Sequence, residues 1–267
     1  MEVTSQLKWN PVLADPTGTR QMKPRTLGKT MVMDKGLGML AFHDLLHTSS
    51  SHVDMIKLGF GTSPLYPQDV LRNKISLAKE NDILIYPGGT FLEVAVRQQA
   101  IDSFFDMIIA LGFNGVEISD GTIQMDRRLR NELISRGLDE GLEVVTEYGK
   151  KGWGSSIELA ELIETVLIDS ELGASLVTIE ARESGMGVGI FDGNGKCKDD
   201  ELQSVLAAIR GDQLLWEAPL KSQQVHLITT LGPDIHLGNI SPDEIIALEA
   251  LRRGLRSDTL VLGSRKD

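Results

Sequence analysis

Four glutamates and one lysine stand at matching depth in short apolar runs: Lys57 in MIKLG (55–59), Glu117 in GVEIS (115–119), Glu147 in EVVTEY (143–148), Glu180 in LVTIE (176–180) and Glu217 in LLWE (214–217). Runs this short and rich in Val, Ile and Leu read as buried strands. Alternate side chains of a strand share a face: Glu117 and Ser119 lie opposite Val116 and Ile118, Glu180 lies opposite Ile179, and Lys57 shares the parity of Met55 and Gly59. Five strands therefore deliver a charge toward one interior, and Arg182 shares the face of Glu180. The plain alternative is an ion network in which these groups only pair with one another. Ordinary cores avoid such networks, because every buried charge is costly to desolvate. Carboxylates gathered this way repel unless a cation joins them. Oxygen donors with no His or Cys cluster favour Mg2+ over zinc, so Glu117, Glu147, Glu180 and Glu217 are the metal candidates.

Other polar groups fall just past strand ends. Asp34 and Asp120 follow the first and fourth runs, and the pair Lys150 and Lys151 follows the fifth. A lysine set among other cations has a depressed pKa and can move protons near neutral pH. The stretch GNISPDE (238–244) opens the last helix, with Ser241 as N-cap, Pro242 at the first helical position and Glu244 completing a capping box. Lys221 follows the seventh run and can supply charge nearby. None of His43, His47, His52, His226 and His236 has metal-ligand spacing, and none is assigned a role. With one cysteine, Cys197, an internal disulfide is impossible and a cysteine-based zinc site implausible, and its Gly/Asp/Lys-rich surroundings favour a surface position over a nucleophile.

The elements that must hold these residues repeat. Strand-like runs at 30–33, 55–59, 83–86, 115–119, 143–148, 176–180, 214–217 and 235–237 alternate with helical patterns at 40–46, 68–79, 92–111, 128–138, 157–172, 201–209, 223–230 and 242–255. Eight strand–helix units imply a parallel sheet closed as a single (β/α)8 TIM barrel of the α/β class. An open doubly wound sheet is the runner-up, but the first run ends Met33-Asp34-Lys35-Gly36 without its Gly-rich phosphate turn. The barrel is expected over 25–263, after a lead-in at 1–24 and before a tail at 264–267. The Gly-rich stretch 184–200 reads as one long loop after the sixth strand, where lids are common.

The chain has 267 residues, close to the roughly 250 of such a barrel, and its hydrophobic fraction of 41% suffices for one sizeable core. A formal net charge of -11 argues against nucleic acid and anionic membrane as partners. There is no transmembrane-length apolar run, and the first residues lack the apolar core of a secretory signal, so a cytoplasmic location is expected. A homo-oligomer is compatible with the sequence, which does not fix the oligomeric state.

Several long motifs, in order, resemble phosphosulfolactate synthase: KTMVMDKG (29–36), KLGFGTS (57–63), YPGGT (86–90), VEISDGT (116–122), EARESG (180–185), WEAP (216–219), LGNI (237–240), ALE (247–249) and GLRSDT (254–259). The resemblance runs from about Arg25 to about Gly263. It implies a TIM-barrel lyase that needs Mg2+ and adds sulfite to C3 of phosphoenolpyruvate, giving (2R)-phospho-3-sulfolactate. The lysine pair matches the family segment that carries the proposed proton donor, and Lys150 is the first choice over Lys151. Lys57, Arg182, Lys221 and Asn239 become candidates for binding the anionic substrates. Two residues depart from the family pattern: Tyr148 stands where a smaller residue is expected, and His236 where Asn is. The competing functions are another Mg-dependent barrel lyase acting on an enolate-forming phospho-acid, and a non-catalytic, stress-associated relative.

Overall fold

The computed structural model describes residues 8–263. Eight parallel strands form it: β1 Thr30–Asp34, β2 Met55–Leu58, β3 Leu84–Pro87, β4 Gly115–Ile118, β5 Glu143–Tyr148, β6 Leu176–Ile179, β7 Leu214–Glu217 and β8 His236–Ile240, in the order β3-β2-β1-β8-β7-β6-β5-β4. Between β3 and β4 a side chain replaces the ladder. Ile85 N–H donates to Asn114 Oδ1 (2.7 Å), and Asn114 Nδ2 donates to the Ile83 carbonyl (3.2 Å). With that staple the sheet is a nearly closed (β/α)8 barrel.

A four-residue helix, α1 Pro11–Ala14, precedes the barrel, and α2 Met39–Ser49, α3 Gln68–Glu80, α4 Gly89–Arg97, α5 Ile101–Leu111, α6 Arg127–Asp139, α7 Leu159–Leu172, α8 Asp199–Ala208, α9 Lys221–Leu231 and α10 Ile245–Arg252 surround it. Gly112 and Gly173 end α5 and α7 in the left-handed conformation that glycine adopts without a Cβ penalty. The single helix expected over 92–111 is two, broken at Gln98–Ala100, where Gln99 has φ 55°. The hydrophobic pattern hides the break because Leu92 and Ala95 on one side and Phe104 and Phe105 on the other bury into the same core.

The strand parities resolve into two cores. Met31, Met55, Leu84, Tyr86, Val145, Leu176 and Leu215 fill the barrel interior. Residues of the opposite parity, among them Val32, Ile56, Ile85, Val116, Val144, Val177 and Leu214, pack under the helices. The charged side chains continue the interior parity one layer above, at the carboxyl ends of the strands.

The lead-in is fastened across the opposite end. Arg20 pairs with Glu249 at 3.0 Å, Arg25 with Asp54 at 3.2 Å, and Lys23 Nζ donates to the carbonyls of Ser50, Val53 and Asn81. The first seven residues of the lead-in and the tail 264–267 lie outside the described residues. No described helix is long and apolar enough to cross a membrane.

Two local expectations fail. Ser241 does not cap the last helix; its hydroxyl donates to Asp243, and Glu244 accepts from Gln224 Nε2 (3.2 Å), so a 3-10 turn at Pro242–Glu244 precedes α10. The polar stretch after β6 is also no bare loop. Val188, Ile190 and Phe191 are buried, and Cys197, read as a surface residue, is only 8% exposed. The glycines and aspartates that suggested exposure make a tight turn around Asp192, which folds Cys197 back beside Phe191.

Candidate active site

A small cavity opens at the carboxyl ends of the strands. Met33, Lys57, Phe60, Gly88, Thr90, Lys151, Glu180, Arg182, Glu183, Glu217 and Asn239 line it. They come from strand ends, the loops that follow and, for Thr90, the first turn of α4, the part of such a barrel that builds active sites. Three of them, Phe60, Arg182 and Asn239, are non-glycine residues with φ of 57°, 66° and 57°. Such conformations cost energy and persist only where the surroundings fix them. For Arg182 the fixing groups are visible: its N–H donates to Glu180 Oε1 (2.6 Å), and its carbonyl accepts from Asn239 Nδ2 (3.0 Å).

Under the cavity lies a layer of paired charges. Lys57 Nζ sits 2.8 Å from Glu117 Oε1, 2.9 Å from Glu147 Oε2 and 3.5 Å from Glu217 Oε1. Lys151 Nζ lies 2.9 Å from Glu147 Oε1 and 3.5 Å from Glu180 Oε2, and donates to Thr90 Oγ1 (3.1 Å). Burial pulls both lysines down, but Glu117, Glu147 and Glu217 hold Lys57 well above the ordinary lysine value, and Glu147 and Glu180 raise Lys151 likewise. Both are ammonium ions at neutral pH. The depressed lysine expected from neighbouring cations is therefore reversed, because carboxylates surround Lys151 at closer range.

The carboxylates divide. Burial raises Glu147, but Lys151 and Lys57 overcome that and hold it below the usual range. Burial raises Glu117 to about 7 against the pull of Lys57. Burial, then Glu147 and Glu217, push Glu180 well up. For Glu117 the sign of the linkage is plain. Above about pH 4.5 the unfolded carboxyl has lost its proton, while the folded one keeps it to about 7, so this residue makes stability fall as pH rises through that window. Glu117→Gln is expected to flatten the decline. Urea unfolding at about pH 5, 6, 7 and 8 measures it, and a constant offset from wild type would mean that Glu117 titrates normally.

The two lysines of the pair part company. Lys150 is half-exposed and holds Asp120 at 2.8 Å outside the cavity. Lys151 points inward, so the geometry favours it over Lys150, the first choice from sequence. Lys221 also turns away and pairs with Asp258 at 2.8 Å. The ammonium of Lys57 is committed to three carboxylates, which makes it their counter-ion rather than an anion binder. Among the described residues, the Arg182 guanidinium is without an ion pair or hydrogen bond, at the rim of the cavity. Asn239 donates to the Arg182 carbonyl and to Glu217 Oε2 (3.3 Å).

As for a metal, lysines occupy the spaces between carboxylates. Among the described residues, no three carboxylates of this site bring oxygens within 4.8 Å of one another. Glu117 and Glu147 are tied to Lys57 below the cavity. Glu180 and Glu217 line it, and each meets a lysine only at 3.5 Å. Five buried carboxyl groups, Glu93 included, face two lysines, so acidic groups outnumber cations in the layer. That excess, with two loosely held oxygen donors on the wall, suits a hard divalent cation that keeps several waters.

Glu93 is a site residue that the sequence reading misses. It is 1% exposed, accepts from Ser119 Oγ (2.6 Å) and Thr122 N–H (2.8 Å), and stands 3.8 Å from Lys151. It was hidden inside an ordinary amphipathic helix. The available signal is Gly88-Gly89 directly before it: α4 starts hard against β4, where a Cβ on Gly89 would come within 2.5 Å of Ser119 Cβ.

Comparison with known proteins agrees with this architecture. Residues 18–258 match the family model described as (2R)-phospho-3-sulfolactate synthase. The phosphosulfolactate synthase of Methanothermobacter thermautotrophicus is 43% identical over 246 residues, 91% of this chain and 95% of that one. The phosphosulfolactate synthase of Methanocaldococcus jannaschii is 41% identical over 234 residues, 87% and 93% of the two chains. The YdjI aldolase of Escherichia coli K12 shares the fold, with a TM-score of 0.54 at 14% identity, over 89% of this chain and 85% of that one. A match spanning the whole barrel, with relatives this similar over nine-tenths of its length, makes the chain an enzyme of the phosphosulfolactate synthase family.

Proposed function

We propose that this enzyme adds sulfite to C3 of phosphoenolpyruvate with the help of Mg2+, giving (2R)-phospho-3-sulfolactate. The observation that carries the reading is a pair of cations facing one cavity: Lys151, buried and protonated, at its inner wall, and Arg182, unpaired among the described residues, at its rim. Sulfite attack forms the S–C3 bond, and the C2–C3 π electrons move toward the carboxylate. C2 must then accept a proton. Glu147 and Thr90 aim Lys151 Nζ into the cavity, and from there it protonates C2 from one face. Glu180 and Glu217 would hold Mg2+, which when bound would supply charge stabilisation for the developing carboxylate dianion. Lys57 keeps Glu117, Glu147 and Glu217 together beneath it.

Incubation of the pure protein with phosphoenolpyruvate, sulfite and Mg2+ should give a new sulfonate by mass. EDTA should abolish its formation and Mg2+ restore it. No sulfonate under these conditions, with turnover of another enolate-forming phospho-acid, would replace the substrate assignment; full activity after metal removal would replace the metal. Arg182 adds a test of anion binding. Arg182→Lys keeps the charge but loses the bidentate fork, and is expected to raise the KM for sulfite or phosphoenolpyruvate about tenfold or more. Unchanged KM values would leave Arg182 without a binding role.

A further inference from the structure

Away from the barrel mouth, three donor atoms of unlike chemistry converge. Cys197 Sγ, a carboxylate oxygen of Asp199 and a ring nitrogen of His226 all lie within 4.8 Å of one another. Cys197 and Asp199 close the long loop after β6 and start α8, and His226 projects from α9. Each donor is held in place. The backbone of Cys197 bridges Phe191, and the next residue, Lys198, donates its N–H to the Ile190 carbonyl (2.8 Å). Asp199 Oδ1 and His226 Nε2 are 2.6 Å apart. Cys197 is buried, while Asp199 and His226 are open on one side.

We propose that Cys197, Asp199 and His226 bind one borderline-soft divalent transition metal of the Zn2+ or Co2+ class, with water completing the shell. The donor set selects the class: a thiolate and an imidazole beside one carboxylate favour such ions over Mg2+ or Ca2+. The geometry is close to what is needed. Ligand atoms at about 2.0–2.3 Å from a tetrahedral ion stand roughly 3.3–3.8 Å apart, so the three donors already lie within reach of one ion, and Asp199 and His226, now 2.6 Å apart, open by about 1 Å to admit it. Without a metal, burial and then the Asp199 carboxylate push the Cys197 thiol up to about 12. A bound cation inverts that preference, so binding releases the thiol proton. The ion would clip the far end of the loop that begins with Arg182 and Glu183 at the cavity rim onto α9. Counting cysteines and histidine spacings misses this group, because His226 follows Asp199 by 27 residues.

Co2+ titration of the reduced, metal-free chain in the presence of excess Mg2+ tests the proposal. One equivalent of Co2+ is expected to produce a thiolate-to-cobalt charge-transfer band. Cys197→Ser should abolish the band, and His226→Ala, at a half-exposed surface position, should weaken binding about tenfold or more. The thermal midpoint of wild type, but not of Cys197→Ser, should rise with added Zn2+. No thiolate band up to about 1 mM Co2+, or equal affinity in wild type and both variants, overturns the site.

Discussion

Lys151→Arg is expected to keep the fold and the binding of phosphoenolpyruvate but to lose about 10²–10⁴-fold in turnover, the usual contribution of a positioned general acid. Arginine preserves the positive charge among Glu147, Glu180 and Glu93, yet it does not release a proton at working pH. Lys151→Ala is less informative alone. It strips the cation from a buried pair, which costs up to about 3–5 kcal/mol of stability and confounds a loss of rate. Lys150→Ala is the control: its ammonium faces Asp120 outside the cavity, and turnover should stay near wild type. Stopped turnover with retained binding, measured together with the thermal midpoint, separates proton delivery from charge balance. Wild-type turnover in Lys151→Arg would reduce Lys151 to a counter-ion and leave the donor to be found elsewhere.

The same comparison shows where a sequence stops being readable. Strand parity alone brought Lys57, Glu117, Glu147, Glu180 and Glu217 to one interior, because a two-residue period allows only two faces and these five fall on the same one. What parity leaves open is depth and direction beyond the strand end. Lys150 and Lys151 are neighbours after β5, and only the turn at Gly149, with Lys151 N–H donating to the Gly121 carbonyl (3.0 Å), sends one inward and the other out. Glu93 was illegible for a different reason. A helix shows its apolar stripe in the sequence, but a glutamate on the flank of that stripe looks solvated until a glycine turn brings the helix against a neighbouring strand. Lys221 failed through competition, since Asp258, far away in sequence, takes it. The carboxylate quartet was read as a demand for metal, whereas two lysines meet much of that demand themselves.

Lys57→Met should reveal how far they meet it. Methionine nearly matches the length and apolar stem of lysine, so packing against the inner core is largely kept while the charge is removed. Glu117, Glu147 and Glu217 are then left together, each 2% exposed or less. Removing one partner of a buried ionic group typically costs about 3–5 kcal/mol, equivalent to a fall of roughly 6–20 °C in the thermal midpoint for a chain near this size. The pH dependence identifies the cause. With the ammonium gone, Glu117 loses the pull that holds its carboxyl down and titrates higher still, and an acid raised in the folded state destabilises increasingly as pH rises through its window. Lys57→Met should therefore lie nearest wild type at about pH 5 and furthest from it at about pH 8. A second substitution, Glu117→Gln, removes one of the stranded charges and should restore part of the loss. The double variant is then more stable than the sum of the two single effects allows, by about 0.5–3 kcal/mol. A loss that is independent of pH, with additive double-variant behaviour, would mean that Lys57 acts through its stem and not its charge. The layer beneath the cavity would then have to owe its cohesion to protons on Glu117 and Glu180.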